Sequence, residues 1–109
     1  MSKNAYKYHA VVERVVDGDT AQVTVDLGFK LYHKVVLRLA RINTPERGMP
    51  NYAEATAKLA ELLPPGLKIH ADVVRKDKYG RYVTEISLDD ASSISDMMLA
   101  SGLAKPYEQ

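Results

Sequence analysis

The sequence predicts a small, mainly β protein with two helices (α+β), in which five strands form a barrel. Three observations lead to this fold class. Five stretches of strand-forming residues are separated by turn signals, one helical stretch lies between the third and fourth of them, and a short helical stretch follows the fifth. The chain has 109 residues, of which 46% are hydrophobic and 27% charged, so we expect one globular domain over residues 1–109.

The first two strands are predicted on either side of a tight turn. Residues 6–16 are rich in β-branched valines, and residues 21–27 alternate strictly between apolar and polar side chains. The Asp-Gly dipeptide at the start of residues 17–19 is typical of a hairpin, and Gly28 supplies the next turn. The alternation predicts that the second strand is buried on one face.

The third extended stretch, residues 30–42, is longer than a typical strand. Its alternation is broken at residues 35–37, which predicts a bulge or bend of the kind that closes small barrels. Residues 43–49 then form a loop, because they contain a proline and a glycine.

The rest of the chain contains two helices and two more strands. Asn51 is predicted to cap a helix that runs to about Leu63 and ends at two prolines and a glycine. Residues 67–74 and 81–88 are predicted as the fourth and fifth strands. Ser93 with Asp96 resembles a capping box and predicts a short helix over residues 94–101. Five strands with a helix between the third and fourth match the order of an OB-fold barrel.

Composition limits the possible ligands and location. The chain has no cysteine, so a metal must be held by oxygen or imidazole, and the net charge of +1 by itself indicates no polyanionic partner. Residues 1–10 do not resemble a signal peptide, and no apolar run is long enough to span a bilayer. We therefore expect a soluble monomer without membrane contact, cytoplasmic as given or secreted if a leader was removed.

Three short blocks carry residues suited to chemistry: VVDGDT at 15–20, RLARINTPE at 38–46 and DKYGR at 77–81. Taken singly, each is explained by a turn, a strand end or a solvated loop. Together they supply what phosphodiester hydrolysis requires, namely a cation site, a base and donors for the charged phosphate oxygens.

Oxygen ligands for calcium are available in the first two blocks. Asp19 offers a carboxylate, Asn43 a side-chain oxygen and Thr44 a backbone carbonyl.

Arg38 and Arg81 are candidates for a phosphate clamp, since arginine presents paired planar donors. Glu46 lies on the loop directly after the candidate calcium ligands, where a general base is required.

The blocks resemble, in their order and spacing, the signature of the staphylococcal nuclease-like family, and the similarity extends over about residues 12–107. This resemblance implies a calcium-dependent endonuclease acting on DNA or RNA, with single strands preferred and 3′-phosphate products. It implies that Arg38 and Arg81 are catalytic arginines, Glu46 the general base, and Asp19 and Thr44 calcium ligands.

The resemblance also implies a substrate-binding surface. Lys78 and Tyr79 match residues that lie against the terminal phosphate of a bound nucleotide. Tyr107 falls near the family's base-stacking tyrosines, although Pro106 changes the local pattern.

The sequence departs from the family at two points. Asn43 stands where the best-known members have a calcium-binding aspartate, so we expect weaker calcium affinity. Longer members of the family have a further C-terminal helix, whereas this sequence ends at Gln109. We expect it to be either a natural short form or a trimmed chain. The loop over residues 46–51 is also short, which predicts an open cleft.

Two other interpretations remain open at this point. A binding module without catalysis is favoured by Asn43 alone, whereas a retired site is expected to lose at least one of Arg38, Glu46 and Arg81. A purely structural barrel does not explain why these residues occur at the family's positions. Arg41 matches no catalytic position and is interpreted as a salt-bridging or solvated residue.

Overall fold

The barrel is built from five strands that are apolar on the side facing its interior. The computed structural model describes residues 6–107, and the barrel strands are β1 (Tyr6–Asp17), β2 (Thr20–Asp26), β3 (Tyr32–Leu39), β5 (Lys68–Lys76) and β6 (Tyr82–Ser87). The remaining elements are the two-residue strands β4 (Ile42–Asn43) and β7 (Lys105–Pro106), and the helices α1 (Tyr52–Leu62) and α2 (Ile94–Ala100).

The strands close in the order β1-β2-β3-β6-β5, and β5 returns to pair with β1. All neighbours are antiparallel except β3 and β6, which run parallel. With α1 between the third and fourth barrel strands and α2 after the fifth, this confirms the predicted OB-type barrel. Neither helix within residues 6–107 has the length and apolar character needed to cross a membrane.

The core fills the barrel and continues under both helices. Val23, Ile86 and Leu59 are fully buried at its centre, and Met98 brings α2 onto the same cluster. This continuity holds α1 against β1, and holds α2 against β6, β4 and α1.

The third strand, β3, is shorter than the predicted stretch of residues 30–42. The predicted bulge at residues 35–37 is wrong. The ladder between β2 and β3 is unbroken from Asp26 to Thr20, and the bulges lie instead in β1 and β5. The alternation is lost for another reason. β3 begins at the exposed hairpin end and finishes where Leu37, Arg38 and Leu39 are all buried.

The two helices begin in different ways. Ser93 caps α2 as predicted, since its Oγ accepts the backbone N–H of Asp96 at 3.2 Å. Asn51 precedes α1, but its φ of 71° is left-handed and its side chain makes no capping hydrogen bond. A capping side chain acts from an extended backbone, so the predicted cap at Asn51 is wrong although the helix begins there.

Gly18 allows the β1–β2 turn to lie directly against α1. A Cβ added at Gly18 would lie 2.8 Å from the Cβ of Ala55 and 3.0 Å from Oγ1 of Thr44. Contacts this short require a backbone element to shift. The glycine therefore holds three segments together: the turn, the helix and the loop after β4.

We expect Gly18→Ala to lower the free energy of unfolding by about 1–3 kcal/mol, because the added methyl overpacks this junction. Urea unfolding at equilibrium measures the change. Ala55→Gly removes the nearest clashing atom, so the penalty of Gly18→Ala should be smaller in that background. Equal penalties in both backgrounds would show that the contact is not the cause.

Candidate active site

Arg38, near the end of β3, is a buried guanidinium held by backbone carbonyls. Its Nη1 donates to the carbonyls of Leu39 at 2.9 Å and Ile42 at 3.0 Å, and its Nη2 donates to Oδ1 of Asn43 at 3.2 Å. Only 7% of the residue is exposed. The guanidinium is thus fixed in one orientation before any ligand arrives.

A tight turn at residues 40–41 creates this cradle. Arg41 adopts a left-handed φ of 70°, which reverses the chain and aims two carbonyls at Arg38. The Arg41 side chain pairs with Glu85 and lies 3.1 Å from Asp96. The expected salt-bridging role of Arg41 is confirmed, and its effect is to anchor the turn to β6 and α2.

The charge of Arg38 is only partly balanced. Burial lowers the pKa of Arg38, the Asp19 carboxylate at 3.5 Å raises it, and the nearby charge of Arg81 lowers it again. The net pKa is below the ordinary arginine value, yet an arginine remains protonated at physiological pH. The charges of Arg38 and Arg81 therefore act on each other, while Asp19 is the close carboxylate of Arg38 and Asp77 that of Arg81.

Asp19 lies in the β1–β2 turn and is 8% exposed. Its carboxylate accepts the Thr20 hydroxyl at 3.0 Å and the backbone N–H of Thr44 at 3.4 Å. The contacts to Thr44 and Arg38 are longer than ordinary strong hydrogen bonds, so the carboxylate retains capacity for a cation. Asp19 contacts Thr44 directly, and Arg38 contacts both Asp19 and Asn43. The three residues predicted to bind calcium thus lie together.

The chemistry of this donor set fits calcium, because all three groups are oxygens. The charge is low, however. Within residues 6–107, no three Asp, Glu, His or Cys side chains are grouped so as to hold a metal ion. A cation here would be bound by one carboxylate and neutral oxygens.

The Asp77–Arg81 turn presents the second arginine. Asp77 accepts the backbone N–H groups of Tyr79 at 2.8 Å and Arg81 at 3.0 Å, and also Nε of Arg81 at 2.8 Å. Lys78 Nζ and Arg81 Cζ lie 5.4 and 5.3 Å from the centre of the exposed Tyr79 ring. Lys78, Tyr79 and Arg81 thus form one cationic and aromatic surface.

Tyr107 lies beside the first arginine. Its ring centre is 5.9 Å from Cζ of Arg38, and its backbone N–H donates to the carbonyl of Arg41 at 2.8 Å. The short β4–β7 pairing brings Tyr107, the residue after β7, to this position.

Glu46 is set apart from the arginines. Its side chain is exposed on the wall of a groove that Asn43 and Thr44 also line. Within the described part of the chain, its carboxylate makes no hydrogen bond or ion pair. The structure therefore groups Glu46 with the candidate calcium ligands and leaves it free to meet a water molecule.

The sequence assigns no role to Asp77, yet its carboxylate holds Arg81 in place. Its position in a five-residue turn before a glycine is typical of a carboxylate that accepts local backbone N–H groups, and this was the available signal. Burial acts to raise the pKa of Asp77, but the hydrogen bonds from Arg81 and Tyr79 outweigh it and hold the pKa below its ordinary value.

We expect Asp77→Asn to lower the free energy of unfolding at pH 7 by about 1–2 kcal/mol, since hydrogen bonds to a charged acceptor are lost. A carboxyl whose folded pKa is depressed stabilises the fold above its ordinary pKa. That contribution is lost as the pH falls through the folded pKa. Wild type and variant should therefore converge in acid.

Thermal unfolding of both proteins between pH 2 and pH 7 measures this difference. Glu61→Gln is the control, because Glu61 is exposed and its ion-pair partner among the described residues is Lys58, on the surface of α1. A difference between wild type and Asp77→Asn that does not change with pH would contradict the expectation.

Comparison with known proteins agrees with this geometry. Residues 36–109 match the family described as Staphylococcal nuclease homologue. Two proteins from Escherichia coli, one of them from O157:H7, each named Uncharacterized endonuclease, are 29% identical to 93% of the chain. The SPbeta prophage-derived endonuclease YokF of Bacillus subtilis (strain 168) is 34% identical over 86% of the chain.

The chain spans 62% of the length of the Escherichia coli relatives and 32% of the Bacillus subtilis relative. The family match includes two of the three blocks, those at residues 38–46 and 77–81, and most of the elements that position them. The chain belongs to the staphylococcal nuclease homologue family.

Proposed function

We propose that this protein is a calcium-dependent nuclease that hydrolyses phosphodiester bonds of DNA or RNA. The observation that carries the proposal is the approach of two guanidiniums from different elements. Arg81 lies near enough to Arg38 for its charge, together with burial, to lower the pKa of Arg38. Two such groups repel each other until an anion lies between them, and a phosphate matches their paired donors.

Arg38 keeps donors available for that phosphate. A guanidinium has five N–H donors. Three of those of Arg38 are used by Leu39, Ile42 and Asn43, which leaves Nε–H and one Nη2–H. Hydrogen bonds from these two donors to phosphate oxygens would strengthen as charge develops in the transition state.

The other residues complete the hydrolysis. Asp19, the side-chain oxygen of Asn43 and the carbonyl of Thr44 would hold calcium, whose chemistry there is to neutralise charge on the phosphate. Glu46 would accept a proton from the attacking water as the new P–O bond forms. Arg81 would stabilise the leaving oxygen as the old P–O bond breaks, and that oxygen takes up a proton.

Lys78, Tyr79 and Tyr107 would bind the substrate around this centre. Exposed tyrosine rings backed by cations suit the stacking of bases and the binding of backbone phosphates. Access to a single phosphate and its flanking base is easiest in a single strand, so the proposal includes that preference, endonucleolytic cleavage and 3′-phosphate products.

We expect the protein to release acid-soluble nucleotides from heat-denatured DNA in millimolar calcium and to stop when calcium is chelated. Arg81→Ala and Glu46→Gln should each lower kcat on the order of 10²–10³-fold, because donors or the base of the transition state are lost. Arg14→Ala, at an exposed position on β1, is the matched control and should retain full activity.

Unfolding curves of each variant exclude misfolding as the cause of lost activity. The folded protein could instead bind the strand and release no nucleotides at any calcium concentration. That result would contradict the nuclease proposal and indicate a binding module.

We expect Asn43→Asp to lower the calcium concentration for half-maximal activity by roughly tenfold, since the number of charged ligands controls calcium affinity. Calorimetric titration with calcium provides a second readout that does not depend on turnover. An unchanged calcium requirement in both measurements would place the cation away from residue 43.

A further inference from the structure

The groove beside Glu46 has the properties of a second nucleotide site. Its volume is about 490 Å³, which lies within the range of roughly 300–1,000 Å³ typical of small-ligand sites. We call it the loop groove, and the residues that line it are Asn43, Thr44, Pro45, Glu46, Met49, Pro50, Asn51, Gly102, Leu103 and Lys105.

The loop groove includes two of the proposed cation ligands, Asn43 and Thr44, whereas neither Arg38 nor Arg81 lines it. A strand with its scissile phosphate at the cation would therefore extend on this side into the loop groove. The cationic and aromatic surface of Lys78 and Tyr79 is left for the other side.

Lys105 provides a cation on the lining of the loop groove. It is the cross-strand partner of Asn43 in the β4–β7 pair, and such partners project to the same face. Lys105 is exposed and has no ion-pair partner within residues 6–107. It is also the one Lys or Arg among the residues that line the loop groove.

Asn51 provides a polar side chain on the lining of the loop groove. Its left-handed backbone prevents the side chain from capping α1, and its amide makes no hydrogen bond among the described residues. Asparagine is among the non-glycine residues that adopt this conformation most readily, and here it leaves the side chain without a partner in the helix. The amide can both donate to and accept from a base edge or sugar hydroxyl.

Apolar side chains complete the loop groove. Met49 is 58% exposed, Pro50 is exposed and Leu103 is half-buried. These surfaces suit the face of a base, whose stacking and apolar contacts do not depend on sequence.

We propose that the loop groove binds the nucleotide next to the scissile phosphate, with Lys105 on the next backbone phosphate and Asn51 on the base or sugar. The inference rests on the proposed nuclease function, because the strand enters the groove from the cation site.

The test measures affinity, so it does not depend on turnover. Oligothymidylates of one to six residues compete with a fluorescein-labelled hexamer in calcium, using Glu46→Gln protein so that the strand stays intact. We expect affinity to rise about tenfold when the oligomer becomes long enough to enter the loop groove, as a charge-assisted contact is added. That step should be lost in Lys105→Ala and reduced in Asn51→Gly, which keeps the left-handed backbone free of strain.

Lys68→Ala is the matched control, since Lys68 is an exposed lysine on β5 that does not line the loop groove, and it should keep the step. A step of the same size in Lys105→Ala, or no step in the parent protein, would overturn the proposal. The nuclease proposal is tested separately, by the cleavage assay on protein that retains Glu46. An absence of cleavage there would contradict the nuclease proposal, whether or not the rise in affinity is present.

Discussion

The site depends on the burial of one positive charge. A guanidinium that is almost wholly removed from water must be hydrogen-bonded and matched by negative charge, or its burial is strongly unfavourable. Arg38 meets this requirement with two backbone carbonyls and the side chains of Asn43 and Asp19. Contacts with Arg38 therefore hold both the β1–β2 turn and the chain after β3 in position.

Several features of the fold follow from this constraint. The carbonyls face Arg38 only because Arg41 reverses the chain in a left-handed conformation and is anchored outside the barrel. Asp19 comes close only because Gly18 lets its turn lie against α1. Packing of the helices and placement of the charge are therefore coupled, and a change at the junction is expected to affect both.

Most of the architecture could be predicted from the sequence, because it depends on local signals. Periodic valines, an Asp-Gly turn and the prolines after α1 act over a few residues, and they placed five strands and two helices in the right order. The errors occurred where distant contacts override local preference. β3 lost its alternation because the closed barrel buries both of its faces at one end, and Asn51 took a conformation that its capping preference does not predict.

The sequence by itself determined the order of strands and helices along the chain, the set of candidate residues and the family. Turn residues and hydrophobic periodicity are properties of neighbouring positions, so they can be identified without the structure. Only the tertiary structure decided how those residues combine. It sets Asp19 against Arg38 across 19 positions of sequence and brings Tyr107 to the same arginine. It also opens a groove between the Glu46 loop and the end of α2. Distances between segments depend on how the barrel closes, and no local pattern specifies that closure.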